Sequence, residues 1–462
     1  MFPAARYAIL RTEEGKPPGS MVFRIPILSC SRYFPNLFSM FSHNYICHSN
    51  CEFYHPSVKE VPIMETLSSE QIRYFRLNSH HLDRFYKSSD ILALAGACGF
   101  QNSPPGAWES ALHFRAPGLS SDDMNRLLYR ERTLLQAWSF RGAPVVFPAC
   151  ESGAFLLALA ACPGESWIYT KGITLALDYL EMDEEELLKL LKEVMPGLDD
   201  TVLVSKSTLD QTLARWMLPL LPPDRRDRWM APSMYGDPGR QTVGGAVVSF
   251  LLRPCSFLGL VVFGERQNQF PTFTSLKRWT GSGLSPQPDA AKQLVRKYLH
   301  CYGPSTPGDF AAWLGASGQQ ARRMWQEVRP EMEPAKISGK TVWYLSDDRE
   351  ALFAPADPSR NLLLTDGHDP YLDQRDRWIL QPDKTLHRKI WRTVANPGTV
   401  IWQGEIIGIW NGRRSSRGLN IHMDIWKNPF DTEEELRRML EDHVAEYAAF
   451  RQLSLSDFSI SL

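Results

Sequence analysis

Long apolar runs are missing from this 462-residue chain. The two best, Gly153–Cys162 and Gly244–Leu252, fall well short of the roughly 20 residues a membrane-spanning helix needs, and the second runs straight into Arg253. No membrane integration is expected. An excess of one charge is also missing: 51 Lys and Arg face 52 Asp and Glu, a net of −1. This excludes a histone-like polycation and a charge-rich disordered chain. It leaves nucleic-acid binding open, because that depends on how charge is spread over the surface. Cysteine is sparse, eight residues with no C-x-x-C pair. Cys47 and Cys51 lie near His43, His48 and His55, but the ligand order fits no zinc-finger spacing, so no metal is expected. Cys98, Cys150, Cys162, Cys255 and Cys301 sit in apolar contexts and read as reduced, buried thiols of a cytoplasmic protein. Phosphate-cradling glycine loops, a Gly-x-Ser-x-Gly elbow and a His-Glu-x-x-His helix are absent too.

What is present divides the chain into five stretches. Residues 1–63 are rich in Pro, Ser, Cys, Phe and Tyr without periodicity, and are expected to form a disordered or poorly ordered arm. Ser68 and Gln71 then form a capping box, so ordered structure is expected from Met64. In residues 64–180 the pattern predicts helices over Asp90–Phe100, Gly106–Arg115 and Ser121–Leu135, followed by a strand over Ala143–Phe147. In residues 181–285 it predicts helices Asp183–Met195 and Ser205–Leu221, then a hairpin of Gly245–Arg253 with Leu258–Gly264. Residues 286–357 give the clearest unit: helix Asp289–Cys301, a helix capped by Thr306 with Pro307 at its first position, and a helix capped by Ser317 that displays Arg322 and Arg323. A hairpin turning at Ser338-Gly339 follows. Helix, short turn, helix and two strands make a winged helix on pattern alone. Trp216, Trp313 and Trp325 fall on core faces of these helices.

Residues 358–462 differ. Strands are predicted at Asn361–Thr365, Thr399–Trp410 and Asn420–Trp426, and a closing helix at Thr432–Leu453 with Leu436, Leu440, Val444 and Tyr447 inward. The segment 360–426 holds ten Lys or Arg against seven Asp or Glu, so basic charge concentrates here while Glu181–Asp200 is acidic. Segregation of this kind suits a polyanionic partner. Arg413, Arg414 and Arg417 mark a loop tip. Arg375 and Arg377 are candidates of the same kind, although Asp373 and Asp376 could neutralise them. Asp369 lies in the turn Asp366-Gly367-His368-Asp369-Pro370. Two carboxylates and an imidazole there suit acid–base work, but Asp and Gly before Pro equally serve a tight turn.

Four stretches carry a resemblance. Gly99-Phe100-Gln101-Asn102-Ser103 through Arg115–Leu119, Arg130–Arg141 with Trp138, Tyr298–Phe310, and Asp369–Arg377 are similar, in that order, to segments of the AlkZ-like DNA glycosylases. The resemblance implies an α+β fold of tandem winged-helix domains forming a cradle for DNA, with a C-terminal β-rich element and closing helix. It also implies a monomer, a duplex DNA partner that is alkylated or crosslinked, and excision of N-alkylated purines without metal or cofactor. Gln101 and Ser103 then occupy the catalytic motif, and Arg141 joins Arg322, Arg323, Arg375, Arg377, Arg413, Arg414 and Arg417 as DNA contacts. The family pattern is Gln, any residue, then Gln or Asp, so Ser103 departs from it. Three readings therefore stand: a monofunctional glycosylase, a non-enzymatic duplex-binding protein with a degenerate motif, and a winged-helix protein-interaction scaffold with no DNA role.

Overall fold

The computed structural model describes residues 64–355 and 360–462; the arm 1–63, with its Cys and His group, lies outside the described residues. Helix starts follow local side-chain chemistry closely. Ser68 with Gln71 and Ser120 with Asp123 form reciprocal capping boxes, and the hydroxyls of Thr306, Ser317 and Thr432 each accept a backbone N–H three residues on.

Helices Ser69–Ser79, Ile91–Cys98 and Ala107–His113 lead to a three-stranded antiparallel sheet. In it Pro144–Pro148 lies between Phe100–Gln101 and Leu134–Trp138. The long helix expected over Ser121–Leu135 is not formed. A five-residue helix, Ser121–Asn125, passes into a π turn over Arg126–Arg130, and Leu135 belongs to the strand. Every residue of Leu134–Trp138 is buried, and a strand covered on both faces gives an apolar run that periodicity cannot tell from a helix.

The next stretch carries helices Glu184–Val194 and Lys206–Met217. The strand expected over Gly245–Arg253 is instead part of one helix, Val243–Phe257, and the hairpin is formed by Val262–Gln267 and Phe270–Thr274. Val243–Phe257 is buried on nearly all sides, so it shows no polar face, and its valines imitate a strand. Gly244 lets this helix lie against the indole of Trp229, where an added Cβ would come within 2.2 Å of the ring.

Helices Ala290–Tyr302, Pro307–Leu314 and Gly318–Val328 then precede the hairpin of Met332–Ile337 with Lys340–Leu345, which turns at Ser338-Gly339 as expected. Trp313 and Trp325 are buried in this unit's core, whereas Trp216 is half-buried at the edge of the preceding one.

The C-terminal stretch is a five-stranded sheet in the order 455–461, 418–425, 405–415, 398–402, 362–365. Leu436, Leu440, Val444 and Tyr447 of helix Glu433–Phe450 cover it, as their spacing predicts. Two features differ from expectation. Thr399–Trp410 is broken by a tight turn at Gln403-Gly404 into strands Gly398–Trp402 and Glu405–Ser415. A final strand, Leu455–Ser461, adds in parallel to Gly418–Ile425 after the closing helix. Its alternating polar residues mark an exposed edge rather than a core strand.

Of the five cysteines expected to be buried, Cys98, Cys255 and Cys301 are, but Cys150 and Cys162 are exposed. Both lie outside regular strands and long helices, where apolar neighbours in sequence do not decide which side chain faces inward. No helix among the described residues is long and apolar enough to cross a membrane.

Candidate functional site

Gln101 ends the two-residue strand Phe100–Gln101, pairing across from Val145 of the central strand. Gly99 makes that strand possible: its φ is +71°, and a Cβ there would meet the Val145 side chain at 2.6 Å. Asn102 turns inward. Its amide donates to Gln136 Oε1 at 3.1 Å, and its Oδ1 accepts the Gly106 N–H at 2.7 Å. This locks the turn that starts helix Ala107–His113 and leaves Gln101 half-exposed and Ser103 exposed on its rim.

The Gln101 amide has two neighbours. Nε2 donates to the backbone carbonyl of Ser103 at 3.1 Å and lies 3.3 Å from Nδ1 of His368. The Ser103 contact is therefore through its main chain, as any residue at that position could make. Oε1 of Gln101 makes no hydrogen bond among the described residues, so it is the end of the amide available to accept an O–H.

His368 is held by what flanks it. Asp369 is buried and receives both terminal nitrogens of the equally buried Arg115, at 2.7 and 3.0 Å, while its Oδ1 also accepts the Tyr371 N–H. Arg115 in turn donates to the carbonyls of His80 and Ala111, both at 2.7 Å. Asp369 thus pins the turn to the end of helix Ala107–His113, the turn-forming option of its two sequence readings. Asp366, on the other side, has its carboxyl pushed above the usual range by burial. The sequence marks His368 only as part of a turn suited to acid–base work; its place beside Gln101, 267 positions away, is set by the tertiary structure.

The arginines fall into two groups. Arg141 has a left-handed backbone (φ 57°) and is fully engaged, donating to the Trp313 carbonyl at 2.7 Å and to Asp373 at 2.5 Å. Arg323 grips Glu165 through two bonds of 2.8 and 2.9 Å. Both are half-buried struts that tie separate segments together. Arg322, one residue away, is exposed and has no ion pair among the described residues.

Asp373 and Asp376, the two carboxylates placed to neutralise Arg375 and Arg377, are taken elsewhere. Asp373 serves Arg141, and Asp376 binds the buried Arg76 at 2.8 Å through each oxygen. Arg375 and Arg377 are left without an ion pair among the described residues. Burial, with Arg141 adding to it, pulls the Arg375 guanidinium below its ordinary value, and Arg377 lies over the Trp391 ring at 4.8 Å. Arg413 and Arg414 project from paired strands, not from a loop, and only Ser416 and Arg417 form the tip. All three arginines are exposed, without an ion pair among the described residues.

Residues 94–450 match the AlkZ-like DNA glycosylase family. The chain belongs to that family. A curated relative among these AlkZ-like proteins, the interstrand DNA cross-link repair glycosylase of Streptomyces sahachiroi, is 25% identical over 358 residues, covering 74% of this chain and 87% of that protein. The solved structure of the Streptomyces sahachiroi DNA glycosylase AlkZ superposes with a TM-score of 0.66 at 21% identity, over 86% of this chain and all of that one. The AlkZ-like fold is thereby shared across both the helical units and the C-terminal sheet.

Proposed function

We propose that this protein is a monofunctional DNA glycosylase that removes N-alkylated purines from duplex DNA, interstrand crosslinks included. The observation that carries the reading is the Gln101 amide, fixed by Ser103 and His368 with its oxygen available at the rim of the sheet. The cross-link repair activity of the Streptomyces sahachiroi relative supports the crosslinked substrate. A purine alkylated at N7 is already cationic. When its bond to C1′ breaks, the electron pair neutralises the base, and the sugar is left as an oxocarbenium-like centre. A water oriented by Gln101 Oε1 adds to C1′, its proton passes to solvent, and an abasic site results. Positioning of this kind typically contributes on the order of 10²-fold or more.

Ser103 has no group that reaches the water as a glutamine or aspartate would, so excision is restricted to labile lesions. His368 supplies orientation of the amide from the opposite side. Arg375, Arg377, Arg322 and the strand pair bearing Arg413, Arg414 and Arg417 are the proposed phosphate contacts, because none of them forms an ion pair among the described residues. The helical stretches 64–180, 181–285 and 286–357 are proposed to act as winged helices around the duplex, in a cytoplasmic monomer without cofactor.

The second reading, a non-enzymatic duplex-binding protein, is favoured by one observation: only the backbone of Ser103 engages Gln101. Incubation with duplexes carrying N7-alkylguanine or a nitrogen-mustard crosslink separates the two. Alkali-labile abasic sites are expected. Tight duplex binding with no abasic product would establish the non-enzymatic reading.

A further inference from the structure

We infer that the protein holds one thiophilic d10 cation, Zn2+ or Cu+, on His80, Cys98 and Cys301. The three residues come from three separate segments: the C-cap of helix Ser69–Ser79, the last residue of Ile91–Cys98, and the penultimate residue of Ala290–Tyr302. Their donor atoms nevertheless lie within 4.8 Å of one another. Cys98 Sγ is 3.6 Å from His80 Nδ1. Thiolates about 2.3 Å and an imidazole about 2.0 Å from one ion have donor atoms roughly 3.5–3.8 Å apart, so the cluster needs little closing to bind.

The imidazole points the same way. His80 is 1% exposed, and it turns Nδ1 toward the Cys98 thiol at 3.6 Å. A buried imidazole nitrogen beside two thiols is placed to bind a soft cation. The rings of Tyr302 and Tyr371 stand edge-on to it at 4.9 and 5.5 Å and fix its plane. Three donors suffice for Cu+, and Zn2+ in this centre would take one further ligand to complete its tetrahedron.

Charge also fits. Two thiolates cancel Zn2+, so the loaded centre adds no net charge to the interior, and binding releases the thiol protons to solvent.

The test uses the full chain with Cys30, Cys47, Cys51, Cys150 and Cys162 changed to serine, so that only Cys98, Cys255 and Cys301 remain. Because the cluster is sealed, the protein is refolded from denaturant with Zn2+, or anaerobically with Cu+, then desalted and its metal measured. One equivalent is expected in at least one arm, retained in Cys255→Ser and lost in Cys98→Ser, Cys301→Ser and His80→Gln. Refolding with Co2+ should give thiolate-to-cobalt charge-transfer absorption, a readout that needs no variant to fold. Absence of metal in both arms and of that absorption, or metal that persists in the three ligand variants, overturns the inference. Glycosylase activity enters none of these readouts, so the result is independent of the proposed function.

Discussion

Gln101 Nε2 lies 3.3 Å from Nδ1 of His368, joining a strand end near the start of the fold to a turn in its C-terminal part. The same amide touches Ser103 only through the main chain. The Gln101 amide thus finds its side-chain neighbour across the tertiary structure instead of along the sequence. Gln101→Ala should abolish excision of N7-alkylguanine while duplex affinity stays within a few-fold. His368→Ala, which frees the amide to rotate, should slow excision by about ten-fold or more, and Ser103→Asp should raise it. Single-turnover excision assays with parallel binding titrations check all three. Equal rates for His368→Ala and the parent would remove the positioning role.

Arg375 and Arg377 form no ion pair among the described residues, where Asp376 binds Arg76 and Asp373 binds Arg141. Replacing either with alanine should flatten the slope of log K against log salt by a little under one for each phosphate no longer neutralised. The same holds for Arg413, Arg414 and Arg417. Arg141→Ala and Arg323→Ala should instead lower thermal stability and leave the salt slope nearly intact, since those guanidiniums are occupied internally. Salt titrations of duplex binding, alongside melting curves, distinguish the groups.

Arg115 and Asp369 are both fully buried and bound to each other at 2.7 Å. Removing one partner leaves an uncompensated interior charge, a loss typically of about 3–5 kcal/mol. Arg115→Met should destabilise by that order in denaturant titrations. Adding Asp369→Leu to it should recover part of the loss, because the orphan carboxylate disappears.

Acid should destabilise the fold in a defined window. Burial pulls His81 and His113 from an ordinary value of 6.5 to about 4. The folded state keeps these rings neutral while the unfolded chain protonates them near 6.5. Their contribution is therefore complete above 6.5 and is lost as pH falls towards 4. His113 stacks on Phe450 with centroids 4.0 Å apart. His113→Phe should preserve that stack and reduce the pH slope by up to one proton, about 1.4 kcal/mol per pH unit. Denaturant midpoints measured from pH 7 to 4.5 give the slope directly; an unchanged slope would show that His113 is not a source of it.

Sequence alone determined what local chemistry dictates. Ser68, Ser120, Thr306, Ser317 and Thr432 each begin a helix because a hydroxyl satisfies a backbone N–H three residues away, an interaction needing nothing distant. The inward stripe of Leu436, Leu440, Val444 and Tyr447 follows from helical spacing against one apolar sheet. Four spaced segments also carry the family likeness without any tertiary information. Tertiary structure decided the rest. Leu134–Trp138 is buried throughout and Val243–Phe257 nearly so, so no clear polar face records their period, and each is open to the opposite assignment. Which arginines keep a carboxylate partner could not be read from composition, because Asp373 and Asp376 are drawn away by Arg141 and Arg76 from elsewhere in the chain. His368 beside Gln101, and His80 beside Cys98 and Cys301, are likewise meetings of distant segments. Side-chain chemistry fixes what each residue can do, but only the packed chain brings its partner within bonding distance.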